Sequence, residues 1–82
     1  MSRMAVAVGP GEQPMLEQAV TEAGARTAGL DEARALVWNG SPAQFPDHLP
    51  DGIEWVQLNA AGVEDWFDAG VFERFPRVRF TS

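Results

Sequence analysis

Trp55-Val56-Gln57-Leu58-Asn59-Ala60-Ala61-Gly62-Val63-Glu64-Asp65 is an apolar run that passes into small residues and then into acids. This pattern describes a buried strand that stops at Asn59, turns through Ala60, Ala61 and Gly62, and restarts as a helix. A helix start leaves backbone N–H groups without intrahelical partners, and such a turn suits an anion. The same turn is also an ordinary strand-to-helix junction if Glu64 and Asp65 compensate the helix dipole themselves. Spacing alone leaves both readings open.

Working outward, residues 4–8 form a short continuous apolar run without alternation, the pattern of a strand covered on both faces in a parallel sheet. Gly9-Pro10-Gly11 ends it. Pro14 suits a first helical position, Met15, Leu16, Ala19, Val20 and Ala23 recur at helical spacing, and Gly24 stands where a helix closes. Residues 26–30 form a weak second strand, 31–34 a short turn of helix, and 35–38 another buried strand stopped by Asn39-Gly40-Ser41-Pro42. The proline-bounded stretch 43–49 has room for one short helical turn. Residues 53–58 are the fourth strand, and 78–81 the fifth. Between them Val63, Trp66, Phe67, Val71 and Phe72 lie on one helical face, with a break expected at Gly70 and an end before Pro76.

Strands separated by helical segments imply right-handed crossovers. The expected architecture is α/β: a flavodoxin-like, parallel five-stranded sheet with helices on both faces, in a single small domain. Ligands in that architecture sit beyond the carboxyl ends of the strands, near the switch point between the first and third. The segments at those ends are Gly9-Pro10-Gly11, Trp38-Asn39-Gly40-Ser41 and Asn59-Ala60-Ala61-Gly62, so three loops converge on one rim.

Composition sets limits on function. The 82 residues make one small domain, and the net charge of −6 lacks the basic footprint that nucleic acid or an acidic membrane surface demands. All six basic residues are Arg, which removes lysine Schiff-base and P-loop lysine chemistry, and the absence of Cys removes disulfides and thiolate nucleophiles. An anionic ligand would need positive charge from local dipoles or from a second domain. No apolar stretch approaches the roughly 18 residues of a membrane span, and a cytoplasmic location is the expectation.

The remaining chemistry-bearing residues are weaker signals. Gly9-Pro10-Gly11 fails as GxGxxG, because Pro14 stands where the third glycine belongs, and is read as a turn. His48, the only histidine, lacks a recognisable acid–base partner or metal-ligand spacing and is read as a surface residue. Asp31-Glu32, Glu64-Asp65 and Asp68 sit near helix starts, where dipole compensation explains them better than a metal site. Trp55, Trp66, Phe67 and Phe72 are read as core. Trp38 either lines a pocket at the rim or covers the strand end.

Leu36-Val37-Trp38-Asn39-Gly40, the quoted stretch through Glu64, and Arg77-Val78-Arg79-Phe80-Thr81-Ser82 together resemble the amino-terminal part of the substrate domain of D-isomer specific 2-hydroxyacid dehydrogenases. That family has a comparable "Ala-Leu-Val-Trp" strand, a "Lys-Trp-Val-Gln, small, small, Gly-Val-Asp" turn and a "Val-x-Val-Thr-Asn" strand leading into a nucleotide-binding domain. Glu64 replaces the usual Asp. The resemblance implies that backbone amides at Ala61 and Gly62 hold the carboxylate of a 2-oxo acid, and that Trp38 and Asn39 wall the substrate cleft. It places the family's GxGxxG and its catalytic Arg, Glu and His in a portion that this chain does not contain. The chain is therefore expected to be a fragment, residues 1–82, with no catalytic, cofactor or metal residues of its own. NAD or NADP and a small 2-oxo or 2-hydroxy acid are partners of the full-length enzyme.

The rival expectation is a free-standing flavodoxin-like interaction module. Because a fragment without its partner domain exposes apolar surface that the full protein covers, a homodimer is also expected.

Overall fold

The computed structural model describes residues 3–59 and 63–82. Five strands, β1 (Ala5–Gly9), β2 (Arg26–Thr27), β3 (Ala35–Trp38), β4 (Trp55–Leu58) and β5 (Arg79–Thr81), form one sheet in the order β2-β1-β3-β4-β5. Every pairing is parallel, with Val6 opposite Ala35, Ala35 opposite Trp55, and Trp55 opposite Arg79. This is the expected α/β, flavodoxin-like arrangement, with its switch point between β1 and β3.

Helix α1 (Pro14–Glu22) joins β1 to β2. Proline at its first position costs no hydrogen bond there. Its end is a Schellman closure: Gly24 has φ +93°, its N–H bonds the Thr21 carbonyl at 3.0 Å, and the Ala25 N–H bonds the Val20 carbonyl at 3.2 Å. On the opposite face lie a 3₁₀ turn (Pro42–Gln44) and the short helices α2 (Val63–Asp68) and α3 (Val71–Arg74). Gly70 separates α2 from α3 with φ +73°, a left-handed conformation that favours glycine, so the expected break falls where the backbone needs it.

The strand period of two divides the sheet into unequal faces. Ala7, Leu36, Trp38, Val56 and Leu58 point to the face of α2 and α3, where they join Ala33, Phe45, Ile53, Trp66 and Val71 in one buried cluster. Phe45 is its hub. Its ring centroid lies 5.1 Å from Trp38, 5.2 Å from Trp66, 5.8 Å from Phe75 and 6.2 Å from Phe80, mostly edge to face. The other face is covered by α1 only near β1 and β2. Beyond it Val37, Trp55, Gln57 and Thr81 are half-buried, and a cavity of about 190 Å³ remains between the helix and the sheet.

Several expectations need correction on this point. Trp55 is a half-buried residue of the more open face, where its indole N–H donates to the Thr81 hydroxyl at 2.7 Å and that hydroxyl donates to Gln57 Oε1 at 2.6 Å. Phe67 is 67% exposed rather than core, because α2 turns the neighbouring Trp66 inward, and Met15 is 86% exposed because α1 presents Leu16 and Val20 toward the sheet instead. The second strand is also shorter than expected. Its continuation is a turn in which the Glu32 and Ala33 N–H groups both bond the Gly29 carbonyl, which buries Ala33 to 1% exposure.

Truncating the hub tests this account. Phe45→Ala is expected to destabilise the domain by about 3–5 kcal/mol, much of the stability a domain of this size has. Phe67→Ala, by contrast, is expected to stay within about 0.5 kcal/mol of the native chain. Urea unfolding followed by tryptophan fluorescence measures both, and equal losses at the two positions would contradict the proposed hub.

Candidate functional site at the carboxyl rim of the sheet

The parallel ladder extends one residue beyond the strands. The Asn39 N–H bonds the Gly9 carbonyl at 2.8 Å, and the Asn59 N–H bonds the Trp38 carbonyl at 2.9 Å. These two bonds align the ends of β1, β3 and β4 and leave Asn39 and Asn59 exposed on the same rim. A third carboxamide joins them. Gln13 Nε2 donates to the Pro10 carbonyl at 2.8 Å, its Oε1 accepts from Asn39 Nδ2 at 3.5 Å, and its backbone N–H donates to Glu17 Oε2 at 3.3 Å.

Close packing holds the first two loops together. A Cβ on Gly40 would stand 2.8 Å from Pro10 Cδ, so only glycine lets the β3 loop approach the β1 loop this closely without a shift. The Ser41 N–H donates to Gln44 Oε1 at 3.1 Å, which anchors the 3₁₀ turn beside the rim.

Trp38 is 5% exposed, and its indole N–H donates to the Ser41 carbonyl at 3.2 Å. Its ring belongs to the core under Phe45, while one edge borders a cavity of about 270 Å³ shared with Gly9, Pro10, Gly29, Leu30 and Pro46. Both readings of Trp38 therefore apply: it covers the strand end and lines a pocket. Asn39 stands at the rim as expected. Ala61 and Gly62, the positions assigned to the substrate carboxylate, lie outside the described residues. The sequence reading missed Gln13, although a glutamine immediately before the helix-starting Pro14 is an unusual N-cap and was a usable signal.

The electrostatics of the rim are those of neutral amides. Segments 9–13, 38–41 and 59 contain Glu12 and no basic residue, so an anion held there depends on N–H donors rather than on a side-chain charge. The start of α1 does not fit a dinucleotide pyrophosphate. Its first free N–H is taken by Glu17, with Glu12 close by in sequence, and Pro14 occupies the position of the third fingerprint glycine. His48, Asp31, Glu32 and Asp68 are exposed and lie outside the rim loops, whereas the exposed Glu64 and Asp65 stand in the first turn of α2, within three residues in sequence of the 59–62 turn. Among the described residues no group of three or more His, Cys, Asp or Glu is placed to hold a metal ion, and no helix is long and apolar enough to cross a membrane.

Comparison with family models, with curated proteins and with solved structures returned no match.

Gly9 offers a direct test of the rim. A Cβ there would stand 2.8 Å from Trp38 Cζ3, in the side chain that closes the pocket. Gly9→Ala is expected to cost about 1–3 kcal/mol and to alter the near-ultraviolet dichroism of tryptophan. Unchanged stability and an unchanged spectrum would show that the indole has room to move, contrary to this packing.

Proposed function

We propose that this domain forms the substrate-side wall of an NAD(P)-dependent D-2-hydroxyacid dehydrogenase and is catalytically silent alone. The observation that carries the reading is the alignment of Gly9, Asn39 and Asn59 on one rim, immediately before the small-residue turn at 60–62. Carboxamide and backbone N–H donors at such a rim suit the carboxylate of a 2-oxo acid. The identity of that acid class comes from the resemblance. Because the start of α1 does not accommodate a dinucleotide, the nicotinamide and the proton-transferring residues belong to the further domain that the resemblance implies. This chain's part is to bind and orient the carboxylate, and to keep water from one side of the cleft.

A second reading, an interaction module of the same fold, draws on the partly uncovered sheet face that carries Val37 and Trp55. It differs in its consequences, since a partner or second copy would cover those residues and leave the rim untouched.

Titration of the ¹⁵N-labelled chain with pyruvate and oxamate separates the two. The dehydrogenase reading expects weak binding, with a Kd on the order of 10 mM, and shifts at the Asn39, Asn59 and Val63 amides. It also expects no NADH oxidation with any 2-oxo acid. Turnover above a mock purification, or a rim that does not respond, would overturn it. Shifts confined to β3–β5 that grow with protein concentration would favour the interaction module.

A further inference from the structure

The amino ends of β4 and β5 lie at the opposite end of the sheet from the rim, and there the chain concentrates its positive charge. Arg74, Arg77 and Arg79 are three of the six cations in a chain of net charge −6, and they fall within six residues. Two of them, Arg74 and Arg77, line a cavity of about 460 Å³ with Leu49, Ile53, Phe75 and Val78. That volume lies within the ordinary range of small-molecule sites.

The two guanidinium groups are differently committed. Arg74 is 3.5 Å from Asp47 Oδ1 and sits 5.7 Å from the centroid of the Phe75 ring, so its position is set by a carboxylate and an aromatic face. Arg77 is exposed, and among the described residues no carboxylate lies within ion-pair distance of it. Asp51 is the one acid lining the cavity.

A second cavity, of about 360 Å³, shares the wall formed by Phe75, Pro76 and Val78 and continues onto Phe72 and Phe80. Its lining carries no charged side chain. One end of this surface is thus cationic and the adjoining end is aromatic and aliphatic. Neither water nor a simple inorganic anion matches both ends. The fitting ligand has a carboxylate head and an extended apolar tail.

We propose that this surface binds amphiphilic carboxylates of the medium-chain fatty-acid class. The carboxylate lies between Arg74 and Arg77, and the tail crosses Phe75, Pro76 and Val78 toward Phe72 and Phe80. Arg77 supplies charge-assisted hydrogen bonds, and the tail gains by leaving water. The site is independent of the proposed 2-oxo-acid rim, and its success or failure leaves that reading untouched.

Octanoate titrated into the ¹⁵N-labelled chain, with octanol as the uncharged control, tests the proposal. The expected result is a Kd on the order of 1 mM for octanoate, with shifts in residues 49–53 and 72–80 and none at Asn39 or Asn59. Octanol is expected to bind roughly tenfold more weakly, as is octanoate to Arg77→Gln, an exposed substitution that leaves the core intact. Equal affinity for octanol and octanoate, unchanged affinity in Arg77→Gln, or shifts located at the rim would each overturn the proposal. The octanol comparison uses the native chain, so it stands even if the variant folds poorly.

Discussion

The Phe45 ring stands between Trp38, Trp66, Phe75 and Phe80, and through them it ties β3, α2, the end of α3 and β5 into one unit. Such a hub is needed because this face of the sheet is covered by a 3₁₀ turn of three residues and by helices of six and four. Helices this short do not persist in water and take their stability from packing. Edge-to-face aromatic pairs add about 0.5–1.5 kcal/mol each beyond the area they bury, which lets a few rings replace the broad contact of longer helices. The charged surface contributes little by comparison. The three ion pairs among the described residues span 3.5 to 3.9 Å between largely exposed side chains.

The two faces of the sheet consequently differ in character. Under Phe45 the interior is dry and aromatic, with Trp66, Val56 and Val71 almost completely excluded from solvent. On the α1 side, the bonded series Trp55, Thr81 and Gln57 gives the strands a polar ending that tolerates water. The same alternation along β4 produces both results, because Val56 and Leu58 face one way and Trp55 and Gln57 the other.

The two proposed sites lie apart along the strand axis rather than on opposite faces. The carboxyl rim offers neutral amide donors where three parallel strands end together, the usual ligand position in such sheets. The amino ends of β4 and β5 collect arginines beside an apolar trough. In a chain of net charge −6 that local concentration matters, since it offsets the repulsion that the whole chain exerts on an anion.

What the sequence by itself determined was the order and type of the elements: apolar runs bounded by Gly, Pro and Asn placed β3 at its observed limits, Pro14 and Gly24 bracketed α1, and Gly70 marked the break between α2 and α3. These signals are legible because they act on the backbone locally, through φ preferences and terminal hydrogen bonds. Half of the rim was legible for the same reason, since Asn39 and Asn59 directly follow the strands. Phe45, Gln13 and the arginine-bounded trough were not. A lone Phe in a proline-bounded loop has no periodicity to betray its burial, and Phe67 and Met15 matched a helical stripe that the short helices do not bury. Only the tertiary structure decided those positions, because burial depends on which distant segments meet across the sheet, and that is set by crossover direction and packing rather than by neighbours in the chain.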